Sequence, residues 1–227
     1  MATDLADLDA GAGRLSALEQ EAVATRVTYD RLALDLSAKR RASASSLEQA
    51  VMAELPALKL ERAAFLVDLQ TEADDRSADG IDTLEFHVRT NPGTKSGPMM
   101  KVASGGELSR FLLALKVALA DRGSAPTLVF DEIDTGVGGA VADAIGQRLK
   151  RLAEKVQVLS VTHAPQVAAR SDTHFLIAKA EAGGKMATSI AVMDRAQRSE
   201  EIARMLSGAE ITSEARAAAE RLIQDNS

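Results

Sequence analysis

Two carboxylates directly follow an apolar segment of this 227-residue chain, because Asp131 and Glu132 come after Phe130. If the segment is a strand of an α/β fold, both residues reach the carboxyl edge of the sheet, where such folds bind ligands. There Asp131 can hold Mg²⁺, directly or through water. Glu132 can act as the general base on an attacking water. A solvated turn is the alternative for an acidic pair considered alone.

A second motif stands before a strongly apolar helix, where the sequence reads Ser104, Gly105, Gly106, Glu107. Serine at the N-cap followed by glutamate three residues later predicts a capping box. Glycines let a phosphate approach the first backbone N–H groups of the helix, whose dipole favours an anion. The motif therefore suits a nucleotide phosphate, although a routine capping box explains it equally when it is considered alone.

His163 ends another apolar segment, and a histidine at such an edge can hydrogen-bond a terminal phosphate. A lone histidine can also be a cap or a surface residue. The order of Ser104, Asp131 and His163, and the spacing between them, are more informative than any one motif. Together they resemble the signature, Walker B and switch histidine in the C-terminal half of an ABC-type ATPase head.

Three longer strings surround these motifs and make the resemblance more specific. They resemble RecN, a family of bacterial SMC-like DNA repair proteins, and the resemblance covers roughly residues 55–227. ABC transporters typically carry Leu-Ser-Gly-Gly-Gln at the signature and lack the continuation after Walker B. The strings are Lys101-Val102-Ala103-Ser104-Gly105-Gly106-Glu107-Leu108-Ser109-Arg110, Phe130-Asp131-Glu132-Ile133-Asp134-Thr135-Gly136-Val137-Gly138-Gly139 and Val161-Thr162-His163-Ala164-Pro165-Gln166-Val167-Ala168.

The resemblance implies a role for each motif in ATP hydrolysis with Mg²⁺. Asp131 would support the metal, Glu132 would activate water and His163 would sense the γ-phosphate. Asp134, just after the acidic pair, fits a loop position that contacts the partner subunit. Two heads would sandwich two ATP molecules, and each signature loop would close on the nucleotide of the opposing head. The signature residues are Ser104, Gly105, Gly106 and Glu107.

The phosphate-binding Walker A sequence, Gly-x-x-x-x-Gly-Lys-Ser/Thr, does not occur in this chain. In SMC-like proteins an N-terminal half supplies it after the chain folds back through a coiled coil. The sequence is therefore interpreted as a C-terminal fragment whose partners are its own N-terminal half and a second head in a homodimer. We expect an ATPase when that half is present and negligible hydrolysis by this chain alone.

The first quarter of the chain carries an alternating three- and four-residue apolar spacing, which is typical of a coiled-coil helix. Gly11 and Gly13 weaken any helix before Leu15, so we expect the helix over residues 15–55. Pro56 suits the first turn of a new helix and sets the predicted boundary between an arm, residues 1–55, and a head lobe, residues 56–227. The positions of the spacing are Leu15, Leu18, Ala22, Thr25, Tyr29, Leu32 and Leu36.

The head lobe alternates apolar strands with helices, which predicts an α/β fold with buried parallel strands. We expect the C-terminal lobe of an ABC/SMC-type P-loop ATPase head, with a mixed sheet and flanking helices. Two paired strands come first, near residues 65–69 and 83–88, and a loop runs to Val102. Two closing strands are expected around a turn at Gly183 and Gly184, followed by two terminal helices.

Composition excludes several classes of site. The chain has no cysteine, so disulfides, thiolate metal sites and iron–sulfur clusters are excluded. A net charge of −6 argues against binding nucleic acid with the whole surface, so DNA contact is expected to be local. Nothing in the sequence resembles a base-reading helix or an aromatic stacking platform, so this contact is expected to be sequence-nonspecific. No apolar run is long enough to span a bilayer, and we expect a cytoplasmic, nucleoid-associated protein without membrane contact. Another SMC-type chromosome-organising ATPase, a non-catalytic coiled-coil scaffold and a transporter ATPase subunit remain alternatives.

Overall fold

The chain begins with one long helix in this computed structural model, which describes residues 2–120, 125–131, 133–182, 185–208 and 210–224. Helix α1 spans Ala2–Glu54, about 80 Å at 1.5 Å per residue. It passes through Gly11 and Gly13, so the expected start at Leu15 was wrong. Each glycine costs a helix only about 1 kcal/mol, and the alanines and leucines around them favour it.

Helix α1 ends where the sequence places a proline. A 3₁₀ turn, Pro56–Leu58, follows with Pro56 at its first position, and Lys59 ends it in the left-handed conformation with φ 58°. The predicted new helical turn at Pro56 is confirmed as this short turn. Leu55 and Leu58 are both buried beneath it.

Strands β1, Ala64–Thr71, and β2, Asp82–Arg89, are neighbours in a three-stranded sheet of order β1-β2-β3. The two predicted strands are therefore confirmed, each slightly longer than expected. The predicted loop up to Val102 was wrong, because strand β3, Gly97–Pro98, and helix α2, Met99–Val102, lie there. Met99 is buried at the start of α2, which makes this segment part of the core.

After α2 the chain forms helix α3, Gly105–Ala118, strand β4, Thr127–Asp131, helix α4, Gly139–Ala153, and strand β5, Gln157–Val161. Strands β4 and β5 are parallel, as predicted, with Thr127 opposite Gln157 and Asp131 opposite Val161. The sequence predicted strands buried on both faces, and this was wrong in the described chain. Leu128 and Phe130 are buried, whereas Val129, on the opposite face, is 67% exposed.

The chain continues through helix α5, Pro165–Ala168, to an antiparallel pair of strands. Strands β6, Phe175–Ala182, and β7, Lys185–Val192, pair with Phe175 opposite Val192. The predicted closing strands are confirmed, and the turn expected at Gly183 and Gly184 lies outside the described residues. Helices α6, Arg195–Ser207, and α7, Ser213–Gln224, follow and pack around Ile202 and Ala219, both fully buried.

Contacts divide the chain into two compact units. The first combines residues 1–49 with residues 66–87, and the second combines residues 50–65 with residues 88–227. The core of the second unit is built from large apolar side chains, and every predicted site residue that the structure describes lies in this unit. Its fully buried members include Phe111, Leu113, Ile145 and Leu152. The division at Pro56 into arm and head lobe stays a prediction.

In the first unit, α1 packs on the β1–β2 hairpin through a buried carboxylate. Asp82 accepts hydrogen bonds from Ser37 at 2.7 Å, from Thr71 at 2.8 Å and from Arg40 at 3.1 Å. Burial raises the pKa of Asp82, but these three donors outweigh burial and hold it below its usual value. The predicted coiled-coil positions Leu15 and Leu18 lie away from this contact and are more than half exposed.

None of the helices in the described part of the chain has a stretch long and apolar enough to cross a membrane.

Candidate functional site

Two of the predicted motifs meet at one edge of the β4–β5 pair. Because the strands are parallel and Asp131 pairs with Val161, both strands end together. Asp131 is exposed at this edge, and Thr162 and His163 follow the end of β5. The ring of His163 is 68% exposed. Glu132, the predicted general base, lies outside the described residues.

The signature residues form the N-terminus of α3, as predicted. Ser104 is the N-cap, and both its backbone N–H, at 3.0 Å, and its hydroxyl, at 2.6 Å, donate to the Glu107 carboxylate. Both bonds lower the pKa of Glu107, and the bond from the Ser104 hydroxyl has the larger effect. The charge of Arg110 makes a smaller contribution in the same direction. The predicted capping box is therefore confirmed. It anchors the loop to the helix and pairs the amide of Glu107 with the Ser104 side chain, so the amides of Gly105 and Gly106 stay without intrahelical acceptors.

Gly106 lies where α3 approaches the loop that follows β4. A Cβ atom at this position would be 3.4 Å from Nη1 of Arg110 and 3.7 Å from the carbonyl oxygen of Thr135. Helix α3 and the loop after strand β4 are thus in near contact within one chain. Burial lowers the pKa of Arg110, and the charge of Glu107 opposes that effect. Sequence reasoning assigned no role to Arg110, whose guanidinium is a cation beside the helix N-terminus.

Asp134 is the most buried polar residue of the site, with 2% of its surface exposed. Its Oδ2 accepts a hydrogen bond from the Thr162 hydroxyl and another, at 3.0 Å, from the backbone N–H of Ala164. Its Oδ1 lies 4.0 Å from Nδ1 of His163. The sequence predicts that Asp134 contacts a partner subunit, and the structure gives its carboxylate partners within its own chain.

The backbone conformation of glycines determines how the segment between β4 and α4 turns. Gly136 has φ 72°, a conformation that a side chain disfavours, and Gly138 caps α4. Gly139, the first residue of α4, lies close to Gln166, because a Cβ there would be 3.2 Å from the Gln166 side-chain nitrogen. The glycines after the acidic pair thus turn the chain tightly into α4 and allow close packing.

The donor set fits Mg²⁺ bound together with a nucleotide better than a metal ion held by protein alone. Among the described residues, no three histidine or acidic side chains are grouped as a metal site. Asp131 offers one exposed carboxylate, and Mg²⁺ is usually held by one or two carboxylates plus substrate phosphates and water. The first amides of α3 and the exposed ring of His163 are suitable donors to phosphate oxygens.

The fold is that of an SMC-type head domain. An SMC head domain with a coiled coil and joint from Pyrococcus yayanosii matches with a TM-score of 0.51 at 18% identity, over 70% of this chain and 28% of that chain. A second match is an SMC head domain from Pyrococcus furiosus, which has an extended coiled coil and is bound to the C-terminal domain of ScpA. Its TM-score is 0.50 at 17% identity, over 72% of this chain and 38% of that chain. The predicted fold class is confirmed.

In sequence the chain is similar to one portion of proteins named DNA repair protein RecN, and the predicted resemblance is confirmed. RecN of Rickettsia conorii is 43% identical over 206 residues, which is 91% of this chain and 37% of that protein. RecN of Xylella fastidiosa strain 9a5c is 44% identical over 191 residues, which is 84% of this chain and 34% of that protein. RecN of Halalkalibacterium halodurans is 38% identical over 202 residues, which is 88% of this chain and 36% of that protein. The chain spans about a third of the length of these relatives. No family model matches.

Proposed function

We propose that this chain supplies the Walker B, signature and switch-histidine parts of an SMC-like ATPase of DNA double-strand-break repair. The observation that carries the proposal is the parallel pairing of β4 with β5, in which Asp131 lies opposite Val161. This pairing brings the ends of the Walker B and switch strands to one edge. Curated relatives that carry the name DNA repair protein RecN support the biological setting.

Each motif then has a defined task at this edge. Asp131 would hold Mg²⁺, and the bound ion would supply positive charge that neutralises the phosphates of ATP. Glu132 accepts a proton from the attacking water, and His163 donates to the γ-phosphate. These three side chains act on the nucleotide of their own head.

The N-terminus of α3 acts on the nucleotide of an opposing head. Gly105 and Gly106 present backbone N–H groups to its phosphates, while the Ser104–Glu107 capping box keeps the loop rigid. Two heads thereby sandwich two ATP molecules, and hydrolysis releases them. ATP binding in this way closes the pair of heads, and hydrolysis opens it.

The β4–β5 pair has an exposed apolar face, which supports the proposal that this chain forms only part of a head. Val129, Leu159 and Val161 lie on the same face of the β4–β5 pair and are 67%, 44% and 49% exposed. Soluble proteins seldom leave contiguous apolar sheet surface in water. We propose that the chain's own N-terminal half, which carries Walker A, covers this face and completes the phosphate site. The chain alone then hydrolyses ATP negligibly.

The proposal extends to the protein's setting in the cell. DNA is bound through its phosphate backbone without sequence preference, because the sequence offers no base-reading helix and no aromatic stacking platform. A net charge of −6 restricts this contact to a local basic patch. The protein acts in the cytoplasm at the nucleoid, as a homodimer of heads. DNA stimulation of hydrolysis is therefore expected to weaken steeply as salt concentration rises.

Variants of the complete protein test these roles. Asp131→Ala should lose Mg²⁺-dependent hydrolysis, and Glu132→Gln should keep ATP binding while hydrolysis falls by roughly 100-fold or more. Lys179→Ala, on strand β6 away from the edge, is the matched control and should hydrolyse ATP at the wild-type rate. Hydrolysis by Glu132→Gln at the control rate would reject the assignment.

A further inference from the structure

Asp134 makes contacts that its assignment as a subunit-facing residue does not require. We propose that Asp134 and Thr162 form a clamp that positions the ring of His163 at the edge of the sheet. Asp134 and Thr162 are positioning residues in this proposal, because they act through His163. The position of the ring is a property of this chain alone, while its effect on hydrolysis rests on the proposed function.

The clamp fixes the backbone on both sides of His163. Oδ2 of Asp134 accepts one hydrogen bond from the hydroxyl of Thr162 and one from the N–H of Ala164. The N–H of Ala164 also donates to the hydroxyl oxygen of Thr162 at 3.0 Å, so this one donor has two acceptors. The residues immediately before and after His163 are thus tied to one carboxylate. The backbone of His163 can move only if this network breaks.

The second oxygen of the carboxylate faces the imidazole. Oδ1 of Asp134 is fully buried and has no hydrogen-bond partner within the described chain. A buried carboxylate oxygen without a donor is costly, so such atoms rarely persist without a role. Nδ1 of His163 lies 4.0 Å away, and a small rotation of this exposed ring brings Nδ1–H within hydrogen-bond distance. Nε2 then points away from Asp134, toward solvent.

The opposite end of the clamp reaches the signature helix. Ile133, before Asp134, is 3% exposed and anchors the segment in the core. The carbonyl oxygen of Thr135, after Asp134, lies near Gly106 at the start of α3, because a Cβ atom on Gly106 would be 3.7 Å from it. A displacement of α3 is therefore expected to move residues 133–135, and Asp134 in this segment holds His163 in place. Within the proposed function, this links the signature loop, which serves the opposing nucleotide, to the histidine that serves the head's own nucleotide.

A pair of substitutions at Thr162 tests the clamp in this chain without any nucleotide. Thr162→Val keeps the shape of the side chain and removes the hydroxyl, whereas Thr162→Ser keeps the hydroxyl. Long-range ¹H–¹⁵N spectra resolve the rings of the chain's three histidines, and His163→Gln identifies the His163 signals. Thr188→Val, an exposed change on strand β7, is the matched control.

We expect Thr162→Val to shift or broaden the His163 ring signals while those of His87 and His174 stay in place. Thr162→Ser and the control should reproduce the wild-type spectrum. Unchanged His163 signals in a folded Thr162→Val chain would overturn the proposal. Loss of all three histidine signals would indicate unfolding, in which case Asp134→Asn, which keeps the side-chain shape, is measured in its place with the same expectations.

The catalytic consequence is measured in the complete protein. Thr162→Val should lower kcat by roughly tenfold with KM within about twofold, and adding it to His163→Ala should cause no further loss. Independent, multiplicative losses in the double variant would overturn the link through His163. If the wild-type protein itself hydrolyses no ATP, the proposed function fails, and the histidine spectra still decide the clamp.

Discussion

Gly146 of helix α4 lies against the segment that follows His163. A Cβ atom there would be 2.7 Å from Cδ of Arg170, 3.1 Å from the carbonyl oxygen of Gln166 and 3.3 Å from Cα of Val167. Two of these atoms belong to the backbone and cannot rotate away. Arg170 is restrained too, because its Nη2 pairs with Asp143 at 2.6 Å. The change Gly146→Ala must therefore separate α4 from α5.

The expected cost follows from two opposing effects. Overpacking of this kind costs about 1–3 kcal/mol. Alanine in place of glycine inside a helix returns about 0.5–1 kcal/mol. The 2.7 Å and 3.1 Å approaches place this site in the upper part of the overpacking range, about 2–3 kcal/mol, so we expect Gly146→Ala to lower the free energy of unfolding by about 1–2.5 kcal/mol. Since α5 begins at Pro165, two residues after His163, the same change should displace the switch segment.

Urea titrations followed by circular dichroism measure this effect, and Gly13→Ala is the matched control. Gly13 also lies inside a helix, but no atom would come within 4 Å of its new Cβ. The control should raise the free energy of unfolding by about 0.5–1 kcal/mol. The packing argument is wrong if both variants are stabilised, or if Gly146→Ala matches the wild-type chain.

Three further changes test local features of the second compact unit. Glu54→Gln should lower the free energy of unfolding by about 1–3 kcal/mol in urea titrations, because it removes a largely buried 2.8 Å ion pair with Arg148. Asp194→Ala should cost about 1 kcal/mol in the same assay, because Asp194 caps helix α6, and Asp194→Ser should restore most of it. Glu107 has a pKa below its usual value of 4.5, so its stabilising contribution is present above pH 4.5 and is lost as the pH falls through the lower folded-state value. Glu107→Gln should flatten this part of a stability profile measured against pH, and an unchanged slope would contradict the assignment.

Features that depend on neighbouring residues could be predicted from the sequence. The capping box of Ser104 and Glu107 needs only a three-residue spacing, and the turn at Pro56 needs only a proline. Parallel pairing of β4 and β5 followed from the helix that separates two apolar segments. Such features depend on residues close in sequence, so they form independently of the rest of the fold.

Features that depend on distant residues could not be predicted. Asp134 and Thr162 are far apart in sequence, so no local pattern indicates their hydrogen bond. The apolar residues of β4 predicted burial on both faces, but the face of Val129 is open within the described chain. Which face is covered depends on packing partners, and hydropathy alone does not supply them.

The most direct test of the proposed function compares ATP hydrolysis by this chain alone with hydrolysis after co-folding with the N-terminal half of a RecN protein, both with Mg²⁺. Glu132→Gln in the same mixture is the control for contaminating ATPases. We expect activity only in the mixture and its loss in the control. Turnover by the chain alone that Glu132→Gln abolishes would contradict the split site, and a well-folded mixture without activity would contradict the ATPase assignment.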